Sequence, residues 1–421
     1  MAQLEDIPQR VREDVERIGA AELVIGLFAG SNNGEIGAAM ACVREALANL
    51  SNSPRTVLIY TDVALDQTAA SLVQAEEEPN LRVLCFPATH SATPALTAQS
   101  IDGAYRAIFA AGEHLGARAC GVITSNLDTL TSKRIYWLIQ PVLQLGFDLV
   151  TPCYAHRTFE GLLNSGMISP LTRALYGKRI QNPMGPDFGF SGRLLRHYLR
   201  SSAGARVASR VYSLTWFTTE AICSGFEICQ SHVGMRAHPP TDWMNLSSVL
   251  AQILDLFFTD VQHNAAFWQR TRGSEPLSTF GKSVPVPEEA GAVDVRHLIE
   301  SFQLGSQNLQ EVWGVVLPPT TILALSRLAR LPADRFRMPD ELWVRIVYDF
   351  ALGHRLRTIS RDHLLRAMTP LYLAWVASYA LEFETATTLV AEQRLEQLSV
   401  AYETGKPYFL SRWRWPDRFN P

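Results

Sequence analysis

Short apolar runs alternate with longer amphipathic segments along the first 155 residues of the chain. The runs are rich in β-branched residues, and they lie at 23–28, 56–62, 82–87, 119–123 and 148–154. Segments with apolar residues at helical spacing lie between them, at 36–50, 97–115 and 133–145. Strands that alternate with helices in this way pair in parallel and are buried on both faces. The pattern therefore predicts an α/β fold with a mostly parallel sheet.

From about residue 241 the pattern changes to long segments with helical periodicity. These segments lie at 243–269, 294–313, 319–330, 339–353, 361–381 and 384–404. Prolines stand near the start of several of them, where a helix tolerates the missing amide hydrogen. A charged amphipathic segment at the N-terminus predicts one more helix. We therefore predict an N-terminal helix over 1–19, an α/β domain over 20–240 and an all-helical C-terminal domain over 241–421.

Composition narrows the class of protein. The chain is 47% hydrophobic and 19% charged, with a net charge of −3, and it has no basic block of the kind that binds nucleic acid. Its six cysteines are scattered without zinc-binding spacing, which favours a reduced, cytoplasmic setting. The sequence contains no apolar signal segment and no apolar stretch of membrane-spanning length, so we expect no membrane span.

Several stretches carry a resemblance to one family. In chain order they are ELVIGLFAGSNNGEIG, RAIFAAGEHLGARACGVITSNL, PLTRALYGKRIQNPMGPDFGFSG, TWFTTEAICSGFEICQSHVGMRAH, RMPDELWVRIVYDFA and RAMTPLYLAWVASY. Together they resemble the GT-A nucleotide-sugar glycosyltransferases of family-2 type, and within them the glucosyl-3-phosphoglycerate synthase and mannosylglycerate synthase group. The third stretch, residues 170–192, is the most specific match. The resemblance implies a GT-A domain, a nucleotide-sugar donor and a small anionic acceptor.

The metal site of that family is replaced in this sequence. The family holds a divalent cation with the two aspartates of a DxD motif and one histidine, and these positions fall on Thr124, Asn126 and His238. A hydroxyl and an amide carry no charge to match the cation, so we expect no tightly bound Mg²⁺ or Mn²⁺. Asp128 is either a displaced metal ligand or the N-cap of the next helix. His238 is either a metal ligand or a loop histidine.

The resemblance also implies residues that bind the donor. The family has a glycine–lysine–glycine stretch before the DxD motif, and here Ser-Ile-Asp occupies residues 100–102, so the lysine is missing. Arg106 is predicted to contact the diphosphate bidentately, with an exposed helical arginine as the alternative. Asn32, near the first turn, is predicted to contact the base or ribose, or to serve only as a turn residue.

The 170–192 stretch supplies the predicted catalytic residues. These are Arg173, Lys178 and Asp187, with Arg179 as a further cation. Cations among aromatic residues suit a sugar or an anionic acceptor. The alternative is a structural segment held by pairs between arginine and aspartate. The aspartate that the family carries near its acceptor is replaced by Leu214.

Two main functions follow from these residues, beside a weaker third, a transferase with a changed donor or acceptor. The first is a glycosyltransferase that transfers a hexose to a small anionic acceptor, with protein cations in place of a metal. The second is a non-catalytic homologue that acts as partner or regulator of an active paralogue, favoured by the joint loss of the DxD motif, the lysine and the acceptor aspartate. The many aromatic residues of the helical region also predict a homo-oligomer, or a heterodimer with a paralogue.

Overall fold

The chain folds into two compact units, each assembled from several segments. The computed structural model describes residues 9–29, 36–62, 79–87, 105, 108–124, 130–205, 214–236, 245–286, 293–383 and 388–416. The α/β unit consists of Met1–Ala155, Asn182–Ala237 and Leu277–Pro285. The helical unit consists of His156–Gln181, His238–Pro276 and Val286–Pro421. A stretch that the prediction assigned to the α/β domain, residues 156–181, thus belongs to the helical unit.

One sheet organises the α/β unit. Its strands among the described residues are β1 (Leu23–Ala29), β2 (Thr56–Asp62), β3 (Leu81–Pro87), β4 (Ala119–Thr124), β5 (Leu149–Ala155), β6 (Phe188–Ser191), β7 (Ile228–Met235) and β8 (Thr279–Phe280). Their order is β3-β2-β1-β4-β6-β5-β7-β8. β6 runs antiparallel to β4 and β5, and the other pairs are parallel. The predicted α/β class with a mostly parallel sheet is confirmed, and the parallel strands all end at one side of the sheet, the carboxyl edge.

Helices account for most of the remaining described residues. In chain order they are α1 (Gln9–Ile18), α2 (Ile36–Ala48), α3 (Ser132–Leu145), α4 (Ser169–Tyr176), α5 (Gly192–Ala205), α6 (Leu214–Cys223), α7 (Leu246–His263), α8 (Ala265–Trp268), α9 (Val295–Asn308), α10 (Gln310–Val316), α11 (Pro319–Leu328), α12 (Asp340–Leu356), α13 (Arg361–Ala367), α14 (Thr369–Phe383) and α15 (Thr388–Arg414). Residues 108–114 are helical as well. None of the described helices is both long enough and apolar enough to cross a membrane.

The two faces of the sheet are covered differently. Alternate residues of β1, such as Leu23 and Ile25, point to the face covered by α2 and α3, where they share a buried core with Val43 and Leu138. This alternation follows from the two-residue period of a strand. On the opposite face an aromatic cluster fills the space against β6, and its members are Tyr105, Phe109, Phe188, Phe190, Tyr198 and Phe217.

Two glycines allow α3 to lie directly on the sheet. Gly121 of β4 pairs with Gly189 of β6. A Cβ atom on Gly189 would stand 1.8 Å from the main-chain oxygen of Leu138, and one on Gly121 would stand 2.5 Å from Cδ1 of Ile139. Real Cβ atoms do not approach other atoms so closely. At Gly189 the neighbour is main chain, so only glycine permits the contact, whereas at Gly121 the end of the Ile139 side chain would have to move. The packing fixes the position of α3, whose first turn reaches the carboxyl edge.

A buried carboxylate ties three strands together at the opposite, amino edge. Asp148, immediately before β5, accepts hydrogen bonds from Ser191 Oγ over 2.7 Å, from the Glu227 amide over 3.1 Å and from the Arg193 guanidinium. Burial alone would raise the pKa of Asp148. The hydrogen bonds from Arg193, Ser191 and the Glu227 amide outweigh burial and lower the pKa below its ordinary value.

The helical unit is built on stacked aromatic side chains. Trp343 of α12 stacks on Trp375 of α14 with ring centroids 5.7 Å apart, and its indole nitrogen donates to the Gly166 carbonyl oxygen over 2.9 Å. Gly166 lies in a π-helical turn, Asn164–Ile168, and a Cβ atom there would stand 2.1 Å from the Trp375 ring. These contacts explain why the segment before α4 packs with the helical unit. No second sheet forms after residue 245 within the described ranges, because β8 joins the first sheet.

The aromatic residues that motivated the oligomer prediction are mostly internal. Those buried in the helical unit are Trp343, Tyr348, Phe350, Tyr372, Trp375, Tyr379, Phe383 and Trp413. Trp415 differs, because 69% of it is exposed. The core of this unit thus accounts for nearly all of these side chains, and the oligomeric state stays a prediction.

Substituting alanine for Gly189 tests the close approach of α3. We expect Gly189→Ala to lower the free energy of unfolding by about 3 kcal/mol, the upper range for overpacking, because the new methyl group meets main-chain atoms. Gly314→Ala in α10 is the matched control. Its Cβ atom would meet nothing within 4 Å in the described ranges, and alanine within a helix should stabilise by about 0.5–1 kcal/mol. Urea unfolding followed by circular dichroism measures both, and equal midpoints for the two variants would contradict the packing argument.

Replacing Asp148 by asparagine tests the amino-edge network. Since the folded-state pKa of Asp148 is lowered, its contribution is present at neutral pH and is lost as the pH falls through that pKa. We expect Asp148→Asn to destabilise the protein by about 2 kcal/mol at pH 7, and the gap to wild type to close below about pH 4. Asp334→Asn, at an exposed position, should change little. A gap independent of pH would show that shape rather than charge stabilises this edge.

Candidate functional site

The strand order marks one place where open α/β sheets bind ligands. β1 lies between β2 and β4, and the chain runs out to β2 and β3 before it crosses to β4 on the other side. Ligands of such sheets bind beyond the carboxyl ends of the strands at this reversal. The strand ends that flank it are Ala29 of β1 and Thr124 of β4. Thr124 therefore lies at the end of a central strand.

Most residues predicted to hold the donor or a metal lie outside the described part of the chain. They are Asn32, Arg106, Asn126, Asp128 and His238, together with the side chain of Thr124. Their roles, and the consequence of the replaced DxD motif, stay predictions. Among the side chains that the structure does describe, no three His, Cys, Asp or Glu residues stand close enough together to hold a metal ion.

Asp187, a predicted catalytic residue, is fully buried at the carboxyl edge. It directly precedes Phe188 of β6, which pairs with Val122 near the end of β4. Tyr154, at the end of β5, donates its hydroxyl hydrogen to Asp187 Oδ2 over 2.6 Å. Burial raises the pKa of Tyr154 well above its ordinary value, and the Asp187 carboxylate raises it further. The hydroxyl therefore stays protonated and maintains this bond.

Arg134, in the first turn of α3, is a second fully buried charged group at this edge. Its Nε donates to the Val233 carbonyl oxygen over 3.2 Å, and its Nη2 donates to the Met235 carbonyl oxygen. Its Nη1 lies 3.9 Å from Asp187 Oδ2, where the two opposite charges attract each other. The carboxylate and the two carbonyl oxygens compensate a cation that would be unstable alone in the interior.

Arg236 brings a second guanidinium group to the same tyrosine. It follows the end of β7 and is half-buried. Its Cζ lies 5.6 Å from the ring centroid of Tyr154, and the Cζ of Arg134 lies 6.0 Å from that centroid. Both distances are in the range of cation–π attraction. We call Arg134, Tyr154, Asp187 and Arg236 the edge cluster. Its two cations and one anion carry a net charge of about +1 at neutral pH.

The buried aromatic cluster around Tyr105 packs beside the edge cluster. The Tyr105 hydroxyl donates to the Pro186 carbonyl oxygen over 3.5 Å, and its ring packs edge-on against Phe28 and Phe217. Burial raises the pKa of Tyr105, and the nearby Asp187 carboxylate raises it further. Tyr105 therefore contributes a neutral phenol and adds no charge to the edge cluster.

Arg173, the second predicted catalytic residue, lies in the helical unit. Its guanidinium forms ion pairs with two glutamates of α15, at 2.7 Å from Glu396 and 3.1 Å from Glu403. Its side chain is only 6% exposed. The contacts therefore fit the alternative prediction, that Arg173 forms a structural ion pair, although its partners are glutamates and not an aspartate.

Lys178 and Arg179 are also in the helical unit. The Lys178 amine forms an ion pair with Glu275, whose main chain bridges to that of Lys178. Arg179 Nε donates to Ser274 Oγ over 3.1 Å. Lys178 and Arg179 thus contact one loop of their own unit, at residues 274–275, whereas Arg173 pairs with α15. Asp187 lies in the other unit, among the edge cluster.

Three members of the edge cluster were missed from the sequence. Tyr154 lies in the apolar run at 148–154, and Arg236 lies in a stretch that was noted only for its resemblance to the family, but nothing in the sequence distinguishes either residue from an ordinary strand end. Arg134 did carry a signal. A cation in the first turn of a helix is opposed by the helix dipole, so its presence indicates a tertiary partner.

Comparison with known proteins gives structural neighbours only. No family model matches the sequence, and no curated protein matches it. Glucosyl-3-phosphoglycerate synthase from Mycobacterium tuberculosis, solved with Mn²⁺, UDP-glucose and phosphoglyceric acid, is 16% identical, covering 59% of this chain and 82% of that one at a TM-score of 0.41. A mannosyltransferase from Pyrobaculum calidifontis was solved with GDP-mannose and Mn²⁺. It is 12% identical, and the match covers 94% of this chain and 88% of that one at a TM-score of 0.39.

A third neighbour is mannosyl-3-phosphoglycerate synthase from Rubrobacter xylanophilus. It is 11% identical, and the match covers 62% of this chain and 81% of that one at a TM-score of 0.37. These neighbours include the synthase group that the sequence motifs resemble. At these identities and scores, the function must be argued from the residues of this chain.

Removing one hydroxyl tests the edge cluster. We expect Tyr154→Phe to lower the free energy of unfolding by about 2 kcal/mol, because the buried Asp187 carboxylate loses a hydrogen bond. Tyr379→Phe is the matched control. The Tyr379 hydroxyl is buried and finds no hydrogen-bond partner among the described residues, so its removal should be neutral or slightly stabilising. Thermal unfolding of both variants measures the difference, and equal effects would mean that the Tyr154 bond adds nothing.

Proposed function

We propose that the α/β unit binds the diphosphate of a nucleotide sugar at the carboxyl edge and transfers the hexose to a small anionic acceptor. One observation carries the proposal. The guanidinium groups of Arg134 and Arg236 approach Tyr154 at the ends of β5 and β7, on the carboxyl side of the sheet, which is the side on which open α/β folds bind ligands. The resemblance of the sequence motifs to nucleotide-sugar transferases supplies the expected class of ligand.

The charge of the edge cluster supports a reaction without a tightly held metal. As the glycosidic bond breaks, negative charge develops on the leaving diphosphate, and fixed positive groups stabilise it. Arg236 is half-buried, so its charge is less screened than one in open water. Its planar fork can bind two phosphate oxygens at once. In this proposal Arg236 replaces the divalent metal ion that the resembled family holds with two aspartates.

Asp187 serves the reaction in one of two ways. As a catalytic base it would have to come within hydrogen-bond reach of the acceptor hydroxyl. Its complete burial and its bond to Tyr154 instead support a positioning role, in which it holds the tyrosine that Arg236 packs against. We propose the positioning role.

A second function has its own support. Arg173 and Lys178, predicted to bind the acceptor, each form ion pairs with glutamates of the helical unit. A cation whose charge is already compensated attracts an anionic acceptor weakly. This favours a non-catalytic homologue that keeps donor binding and acts on a partner protein. The two functions differ in turnover and not in donor binding.

Donor binding is tested by calorimetric titration of UDP, GDP, UDP-glucose and GDP-mannose, in EDTA and again in Mn²⁺. We expect at least one of them to bind in EDTA. Arg236→Gln should weaken that binding about 10- to 100-fold, which corresponds to losing one or two charge-assisted hydrogen bonds. Arg118→Gln is the matched control, because Arg118 lies at the amino edge, exposed and paired with Glu22 at 3.3 Å. It should leave the affinity unchanged.

Turnover separates the two functions. Transfer of labelled hexose to 3-phosphoglycerate in EDTA would support the transferase, and tight donor binding without transfer to any small acid would support the non-catalytic homologue. Binding that requires Mn²⁺, or an affinity that Arg236→Gln leaves intact, would overturn the metal-independent proposal.

A further inference from the structure

β7 carries an irregularity beside the edge cluster. Cys153 of β5 pairs with His232, but the next residue, Tyr154, pairs with Gly234. Val233 is therefore an extra residue, a β-bulge, and Gly234 follows it with a φ of 84°. Because side chains alternate along a strand, one extra residue reverses the faces of all residues after it. Bulges beside active sites are used to redirect a side chain in this way.

The bulge leaves main-chain oxygens that need donors. A bulged residue loses its regular ladder partner, and a buried carbonyl without a donor is costly. Arg134 supplies the donors, because its Nε bonds the Val233 oxygen and its Nη2 bonds the Met235 oxygen. The two oxygens flank Gly234, so a single guanidinium spans the bulge. Lysine has no planar fork, and its donors all lie on one nitrogen atom, so it does not reproduce this geometry of two donating nitrogens.

Arg134 is itself held from three sides. Thr131, the N-cap of α3, accepts a hydrogen bond from the Arg134 amide over 3.2 Å. The glycine pair under α3 fixes the height of the helix above the sheet. The Asp187 carboxylate, 3.9 Å from Nη1, balances the charge. Such support is what a group needs in order to fix the position of another.

We infer that Arg134 is a positioning residue for the diphosphate site. It clamps the β7 bulge, the bulge sets the face on which Arg236 lies, and Arg236 contacts the diphosphate. The ligand part of this inference rests on the proposed function. The clamp itself is a property of the free protein, and Arg134 acts on the ligand only through Arg236.

A double-mutant cycle with UDP and GDP as probes tests this chain of action. Arg134→Lys and Arg236→Gln should each weaken the affinity of the better-binding probe by about 10-fold or more, as for loss of a charge-assisted contact. The double variant should bind no more than about 2-fold more weakly than Arg236→Gln alone, because the first residue works through the second. Losses that multiply would overturn the inference.

Hydrogen–deuterium exchange tests the clamp without a ligand. Arg134→Lys should raise the exchange of amides in the peptide covering 228–236 and leave the β1 peptide unchanged. Unchanged protection of 228–236 would overturn the clamp even if diphosphates bind well. If wild type binds neither UDP nor GDP, the proposed function fails, and the exchange result alone decides whether Arg134 holds the bulge.

A variant at the bulge gives an independent measurement. The Cβ atom of Gly234→Ala would meet no atom of the described residues within 4 Å, but its φ of 84° disfavours any other residue. Gly225→Ala, in the turn before β7, is the matched control, with a φ of 72° and no neighbour within 4 Å in the part of the chain that the structure describes. Gly234→Ala should weaken UDP or GDP binding several-fold, and Gly225→Ala should not. If Arg134→Lys fails to fold, the two glycine variants test the inference instead. Equal affinities of Gly234→Ala and Gly225→Ala for UDP or GDP would then overturn it.

Discussion

A positive charge that is buried away from water needs opposite charge or hydrogen-bond acceptors close by, and in the α/β unit Arg134 carries such a charge. The elements around it are arranged to meet it. α3 lies low enough on paired glycines for the guanidinium to reach the end of β7, whose bulge offers two carbonyl oxygens. Asp187 supplies the opposite charge from the start of β6. The carboxyl edge would have a different shape if any of these parts were missing.

The fold could be predicted where local pattern decides it. The apolar runs of β1 to β5 and the periodic helical segments needed only their own residues to be recognised. β6 escaped because Phe188–Ser191 is four residues long, contains Gly189 and lies in a glycine- and proline-rich stretch that is typical of a loop. Its strand conformation comes from β4 and β5 on either side, and a sequence does not display such neighbours.

The candidate site was harder to predict for a related reason. Asp187 was identified from its motif, but its partners Tyr154 and Arg134 are distant in sequence, and Arg134 is recognised by main-chain oxygens that any residue can provide. Arg173 shows the opposite difficulty. Its motif indicated a ligand, while Glu396 and Glu403, more than two hundred residues later, provide its visible partners. Charge pairing over such separations leaves no local pattern.

The interleaving of the two units has a consequence for how the chain acquires its structure. The sheet needs β8, at Thr279–Phe280, and α4 packs with α15, which begins at Thr388. Neither unit can therefore be completed from one continuous stretch as it leaves the ribosome. Contacts that join distant parts of a chain form slowly, and the partly formed intermediates expose apolar surface. Because α4 is synthesised long before α15, the apolar face that α15 covers stays exposed until the end of the chain has been made.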